Sequence, residues 1–420
     1  MPITIPDAAS SPCPTISQDR PVPTSSVGTA DIVGFGQDGV VILRNNFQSP
    51  SIVDAPVAIK HFGSKAGGWV IDKHVRLLGD TTGDGKADII GFGHGGVWVA
   101  QNQGKNTFGP STLRVQEFGY SAGGWRVEKH LRYVADLRKT GRVDIIGFSD
   151  WGVVVSLNNG DGTFGPVQIV LYDLGYEQGW RLDKHLRLLG DVTGNGLPDI
   201  VAFGEAHIYV AVNNGDGTFQ PLTPVLSMFT YSAGDWRIEN HPRFLADLTG
   251  NGCVDIIGFG EAGVWVSLNN GDGTFQPGKM VSNEFGRSGS SLNWSVEQHP
   301  RFLADLTGDG RADIIGFAHA GVYVALNNGD GTFQPCRCVL SAFGLQAGGW
   351  TMERHPRFVV DLTGNGCADI LGFADDGVYV SYNDGKGNFS PAQKLTGHFG
   401  SSDVQWSPNA SFRLVANLYK

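Results

Sequence analysis

Short apolar runs closed by Gly, Asn or Asp recur along the whole chain. One of them repeats as Gly-Phe-x-x-x-Gly-Val/Ile-x-Val, with its phenylalanine at Phe35, Phe92, Phe148, Phe203, Phe259, Phe317 and Phe373, 55 to 58 residues apart. A period of that length, rich in turn residues, marks units that cannot bury their apolar faces alone. Each unit holds four runs. In residues 185–229 they read HLRLLGD, PDIVAFG, HIYVAVN and PLTPVLSMF, the last two joined by NGDGTF. Val- and Ile-rich runs of four to eight residues separated by Asn-Gly and Asp-Gly read as antiparallel strands. Four strands in each of seven units predict an all-β, seven-bladed β-propeller. Pro242, Pro300 and Pro356 fall in the first strand of three units, which suits an edge strand lining a central channel.

The two ends complete each other. The first half-unit, from residue 30, lacks a first strand, and the terminal FRLVANLYK, residues 412–420, is a first strand with nothing after it. Pairing them closes the ring and gives one domain, residues 25–420, whose closure blade combines about 25–60 with 406–420. Residues 1–24 are rich in Pro, Ser and Thr and read as a flexible arm.

Composition narrows the function classes. No apolar run is long enough to span a bilayer, and a net charge of -10 argues against a nucleic-acid partner. The N-terminus has neither a basic start nor an apolar core, so we expect a cytoplasmic protein or one released without a signal peptide. Cys13, Cys253, Cys336, Cys338 and Cys367 are too few for a disulfide framework, and the sequons at Asn293, Asn388 and Asn409 carry little weight without a secretory route.

Oxygen-bearing side chains recur at fixed spacing between the first and second strands. The sets are Asp80, Thr82, Asp84, Asp88; Asp191, Thr193, Asn195, Asp199; Asp247, Thr249, Asn251, Asp255; Asp305, Thr307, Asp309, Asp313; and Asp361, Thr363, Asn365, Asp369. Oxygens at positions 1, 3, 5 and 9, with Gly at 6, suit a hard cation such as structural Ca2+. The same spacing also describes a turn capped by its own side chains. In residues 136–144 Arg138 stands where a ligand belongs, and we expect it to brace that loop without metal.

The segment crossing from one blade to the next carries Trp-x-x-[Asp/Glu]-x-His-x-Arg six times. The members are Trp69, Asp72, His74, Arg76; Trp125, Glu128, His130, Arg132; Trp180, Asp183, His185, Arg187; Trp236, Glu239, His241, Arg243; Trp294, Glu297, His299, Arg301; and Trp350, Glu353, His355, Arg357. In an extended strand acid, His and Arg would share one face. The seventh copy keeps Trp406 and Arg413 but has Asn409 and Ser411, which points to a role for acid and His beyond folding. A buried hydrogen-bonded brace is the competing reading. Meander topology puts these crossings on the same face as the second turn, which offers His94, Asp150, Glu205, Glu261, His319 and Asp375. With Tyr120, Tyr176 and Tyr231 this makes up to six inter-blade clefts of aromatic rings, carboxylates and imidazoles, chemistry that suits a sugar.

The strings GGWRVEKH, GFGEAGVWVSLNNGDGTF and VANLY resemble the mushroom N-acetylglucosamine-binding lectins of the Psathyrella velutina type, whose repeats are of the FG-GAP kind also found in integrin α subunits. The resemblance covers residues 22–420. It implies a monomeric fungal propeller, multivalent through six sites for GlcNAc-terminated glycans and glycoproteins between consecutive blades, with calcium in some loops. The chain departs from that pattern in the longer fifth crossing, SGSSLNW at 288–294, and in the fourth, where Asp235 replaces Gly. An integrin-like protein-binding scaffold is the alternative. A polysaccharide-active enzyme fits less well, because catalysis needs one cleft with unlike acids and this chain repeats near-identical ones.

Overall fold

The computed structural model describes residues 30–45, 56–288, 292–407 and 411–418; the expected arm, residues 1–24, lies outside them. Seven antiparallel sheets of four strands form the blades of a ring. The composite sheet, blade 1, pairs Phe412–Ala416 with Asp31–Gly36, placing Asp31 opposite Ala416 and Phe35 opposite Phe412. Gly39–Leu43 and Val57–Ile59 complete it. Blades 2 to 7 begin at Val75, Leu131, Leu186, Arg243, Arg301 and Arg357. In blade 4 the strands Leu186–Gly190, Asp199–Phe203, Ile208–Ala211 and Thr223–Leu226 fall inside the four expected runs.

One expectation shifts by a residue. Pro242, Pro300 and Pro356 stand just ahead of the first strand rather than within it, since proline has no N–H for the ladder. Their carbonyls still accept from Phe259, Phe317 and Phe373 N–H, each at 2.9 Å.

The core lies between blades. The second-strand phenylalanines are fully buried, and each crossing lays a second apolar side chain and the Trp against the next sheet. Close approach explains the glycine before the repeat phenylalanine: a Cβ on Gly147 would sit 2.5 Å from the Trp125 ring and 2.9 Å from Phe118. Blade 4 departs at both positions at once, with Ala202 in place of Gly and Leu174 in place of Phe, and the two pack in one cluster.

Hydrogen bonds around the first and third turns join neighbouring blades. Asp80, Asp191, Asp247, Asp305 and Asp361 carbonyls accept from Val143, Val254, Ala312, Ala368 and Ala30 N–H at 2.8 to 3.2 Å, and Leu418 O accepts from Ala87 N–H at 3.2 Å. The blade 3 to blade 4 step has Pro198 at the donor position, which cannot take part. An asparagine bridges every interface: the Asn213 side chain donates to Leu137 O of the preceding blade and Pro198 O of its own, both at 3.1 Å. Asn45, Asn102, Asn158, Asn269, Asn327 and Asn383 bridge in the same way to the preceding blade.

Candidate functional site

Each crossing starts with a buried residue in the left-handed region: Phe62, Phe118, Leu174, Phe229, Phe285, Phe343 and Phe399, at φ of 57 to 68°. That conformation is costly for a bulky side chain and persists only where the surroundings impose it. In six crossings the constraint is the motif arginine, whose Nη1 donates to that residue's carbonyl at 2.8 to 3.3 Å. These arginines are buried and lie over the repeat phenylalanine of the preceding blade, 5.6 Å away for Arg187 over Phe148. They belong to the fold.

The acid and histidine do not share a strand face with the arginine. Residues 70–74 form a turn in which His74 N–H donates to Val70 O at 3.0 Å, and the strand begins only at Val75. Asp72, Glu128, Asp183, Glu239, Glu297 and Glu353 sit mid-turn and are exposed, whereas His74, His130, His185, His241, His299 and His355 are buried. Each imidazole Nδ1 accepts the backbone N–H four residues earlier at 3.0 to 3.1 Å. The neutral ring therefore carries its proton on Nε2. In blade 1 the Ser411 hydroxyl, at the position of the imidazole, donates to Ser407 O at 3.0 Å. Asn409 lies outside the described residues.

The second turn supplies the partner. His130 Nε2 meets Asp150 at 3.0 Å, His185 meets Glu205 at 3.4 Å, His241 meets Glu261 at 3.3 Å and His355 meets Asp375 at 3.1 Å. In blades 2 and 6 the partner is another ring, His94 at 4.6 Å from His74 and His319 at 4.4 Å from His299, both edge-on. Nε2 of His74 and His299 is left buried without a hydrogen bond. Burial lowers the pKa of all six buried histidines. Where a second imidazole adds to burial, His74 and His299 are pushed down to about 4.

The crossing that leaves each blade folds back over the same turn. Ser121, Glu177, Ser232, Ser288, Gln346 and Ser402 donate backbone N–H to the carbonyls of His94, Asp150, Glu205, Glu261, His319 and Asp375 at 2.8 to 3.0 Å. Ser232 Oγ also donates to Glu205 at 2.8 Å, and this bond, with the His185 contact, holds the carboxyl below its usual range. Beside it a cleft of about 300 Å3 is lined by Asp173, Gln178, Trp180, His185, Glu205, Tyr209 and Leu222.

The expected aromatic platforms are already occupied. Trp69, Trp125, Trp180, Trp236, Trp294 and Trp350 are at most 8% exposed. Tyr120, Tyr176 and Tyr231 each take two cations over the ring: Lys73 and Arg126, Lys129 and Arg181, Lys184 and Arg237, with the arginines at 3.6 to 3.7 Å. Sequence reasoning missed these arginines, although the residue after the Trp is Arg only in the three crossings that hold a Tyr. It also missed half-buried Trp98, Tyr209, Trp265, Tyr323 and Tyr379, which recur at the middle position of the Val-x-Val run.

In the carboxylate loops many of the expected ligand oxygens accept the loop's own backbone amides. The position-one carboxylates are filled by loop amides: Asp247 accepts from Thr249, Gly250, Asn251 and Gly252 N–H at 2.7 to 3.2 Å, and Asp80, Asp191, Asp305 and Asp361 do likewise. Asp84, Asn195, Asn251, Asp309 and Asn365 accept the amide two residues on at 2.8 to 3.0 Å. Asp84 and Asp309 also pair with Lys86 and Arg311. The position-nine carboxylates Asp88, Asp199, Asp255, Asp313 and Asp369 are buried, and each accepts the N–H of its bridging asparagine at 2.7 Å. Neither Thr249 nor Thr307 Oγ1 has a partner. Among the described residues no cluster of three His, Cys, Asp or Glu is placed to hold a metal ion. Arg138 braces its loop as expected, with Nη2 2.7 Å from Asp144 and from Asn158 O.

Residues 80–146 and 191–240 match the FG-GAP-like repeat family. A solved lectin of Agrocybe aegerita, described by its specific recognition of non-reducing terminal N-acetylglucosamine, is 58% identical over 96% of this chain and 99% of its own, with a TM-score of 0.90. The Photorhabdus luminescens Tc holotoxin pore matches at 17% identity over 86% of this chain and 16% of its own, with a TM-score of 0.45. The Vibrio cholerae biofilm matrix protein Bap1 matches at 15% over 76% and 41%, with a TM-score of 0.31. No curated protein is significantly similar. At 58% identity over nearly the whole of both chains, the protein belongs to the family of the Agrocybe aegerita lectin, and its propeller carries FG-GAP-like repeats.

Proposed function

We propose that this protein is a multivalent lectin that binds non-reducing terminal N-acetylglucosamine in the clefts around the second turns of blades 2 to 7. The reading is carried by the 58% identity to a lectin with that recognition. It is supported by the repetition, blade after blade, of a fixed imidazole beside a partly exposed second-turn side chain. Each carboxylate keeps acceptor capacity beyond its contact with imidazole, and vicinal pyranose hydroxyls are matching donors. With the crossing tryptophans buried, the apolar face of the sugar would meet the third-strand aromatics, of which Tyr209 lines the open cleft.

Several weak sites on one face of a rigid ring raise avidity through effective concentration alone. The partners would then be GlcNAc-terminated glycans and glycoproteins, cross-linked by a monomer. Structural calcium is left out of this proposal. A glycan array tests the specificity: binding to glycans ending in GlcNAc, and its loss when galactose caps the same glycans, is expected. Binding indifferent to the terminal sugar would overturn the reading.

A further inference from the structure

Among the described residues only two Phe, Tyr or Trp side chains are largely exposed: Trp151 at 63% and Tyr172 at 78%. Both belong to blade 3, on the face that carries the crossings. Trp151 is in the second turn, directly after Asp150, and Tyr172 follows the outermost strand, Gln168–Leu171. The two stretches meet, since Val153 pairs with Leu171 and a Cβ on Gly152 would lie 2.0 Å from Leu171 O. No other blade has an aromatic ring at either position. Gly95, Ala206, Ala262, Ala320 and Asp376 stand where Trp151 does, and Gln116, Ser227, Asn283, Ser341 and Gly397 where Tyr172 does. Blade 3 is also the exception inside the cleft, with Val154 where blades 2 and 4 to 7 carry the third-strand aromatic.

The pair is continuous with the candidate site. Asp150 contacts His130, and Asp173, the neighbour of Tyr172, accepts the indole N–H of Trp180 at 3.2 Å and lines the blade 4 cleft. Exposed aromatic rings carry large apolar faces that are stabilised by covering. A sugar linked to a residue held at Asp150 would extend outward over them.

We propose that Trp151 and Tyr172 form a subsite for the second sugar of a glycan whose terminal residue occupies the blade 3 cleft. The proposal rests on the lectin reading, and it makes one cleft a reader of disaccharides while the others read the terminal residue alone.

The test compares free GlcNAc with its β1,4-linked disaccharide by calorimetry, on the unaltered chain and on Trp151→Ala/Tyr172→Ala. In the unaltered chain one site per molecule should bind the disaccharide roughly two- to tenfold more tightly than the rest. In the variant that site should become equal to the others, with GlcNAc affinity, site number and melting temperature unchanged. A disaccharide isotherm identical in both chains overturns the subsite and leaves the lectin reading intact. Failure of the unaltered chain to bind GlcNAc overturns the lectin reading and the subsite with it.

Discussion

His74 meets His94 edge-on at 4.6 Å, in the place where His130 meets the carboxylate of Asp150 at 3.0 Å. One substitution in the second turn thus divides the candidate clefts into two kinds. In four, the imidazole proton has an acceptor. In blades 2 and 6 the buried Nε2 has none.

That difference has a pH signature. Unfolded histidine titrates near 6.5, whereas His74 and His299 resist protonation down to about 4 in the fold. Between those values the unfolded chain binds more protons than the native one, so these two residues lower stability as pH falls through the window. His74→Asn with His299→Asn keeps an acceptor for the turn and removes the titration. Denaturant unfolding at pH 7 and pH 5 should therefore show a smaller acid loss in the double variant. An equal loss would mean that the two rings are not held neutral.

Blade 4 shows how the interfaces tolerate change. Gly147→Ala should destabilise by about 1–3 kcal/mol through overpacking against Trp125 and Phe118. Adding Phe118→Leu, which reproduces the Leu174 and Ala202 pairing, should recover part of that loss. Additive destabilisation in the double-mutant cycle would contradict the compensation.

The carboxylate loops should hold the ring through hydrogen bonds. Asn269→Ala removes the side-chain bonds to the Val192 and Val254 carbonyls and should cost about 1–3 kcal/mol. Chelation should leave the thermal midpoint unchanged. A midpoint that falls on adding EDTA and returns with calcium would show that the loops reorganise around an ion.

The architecture was legible because it repeats. The phenylalanine spacing and the split unit at residues 30 and 412 were enough for seven blades and a composite closure, both observed. The site was legible only in part. The crossing histidines and the second-turn residues His94, Asp150, Glu205, Glu261, His319 and Asp375 do come together. Asp72 and its five counterparts do not join them, because alternation was counted through a segment that folds as a turn with a bond from His74 to Val70. Oxygen spacing was equally ambiguous, since a metal loop and a turn capped by Asp247 share it. Nor does spacing show that Trp125 is buried, or that Arg126 lies over Tyr120.

If the second-turn clusters bind N-acetylglucosamine, the number of GlcNAc molecules bound per chain should report it, counted by calorimetry before and after Glu205→Ala. Glu205 is half exposed, so the variant should keep the melting temperature of the parent. Several weak sites are expected in the parent and one fewer in the variant. A single site per chain, or an unchanged number after the substitution, would contradict binding at these clusters.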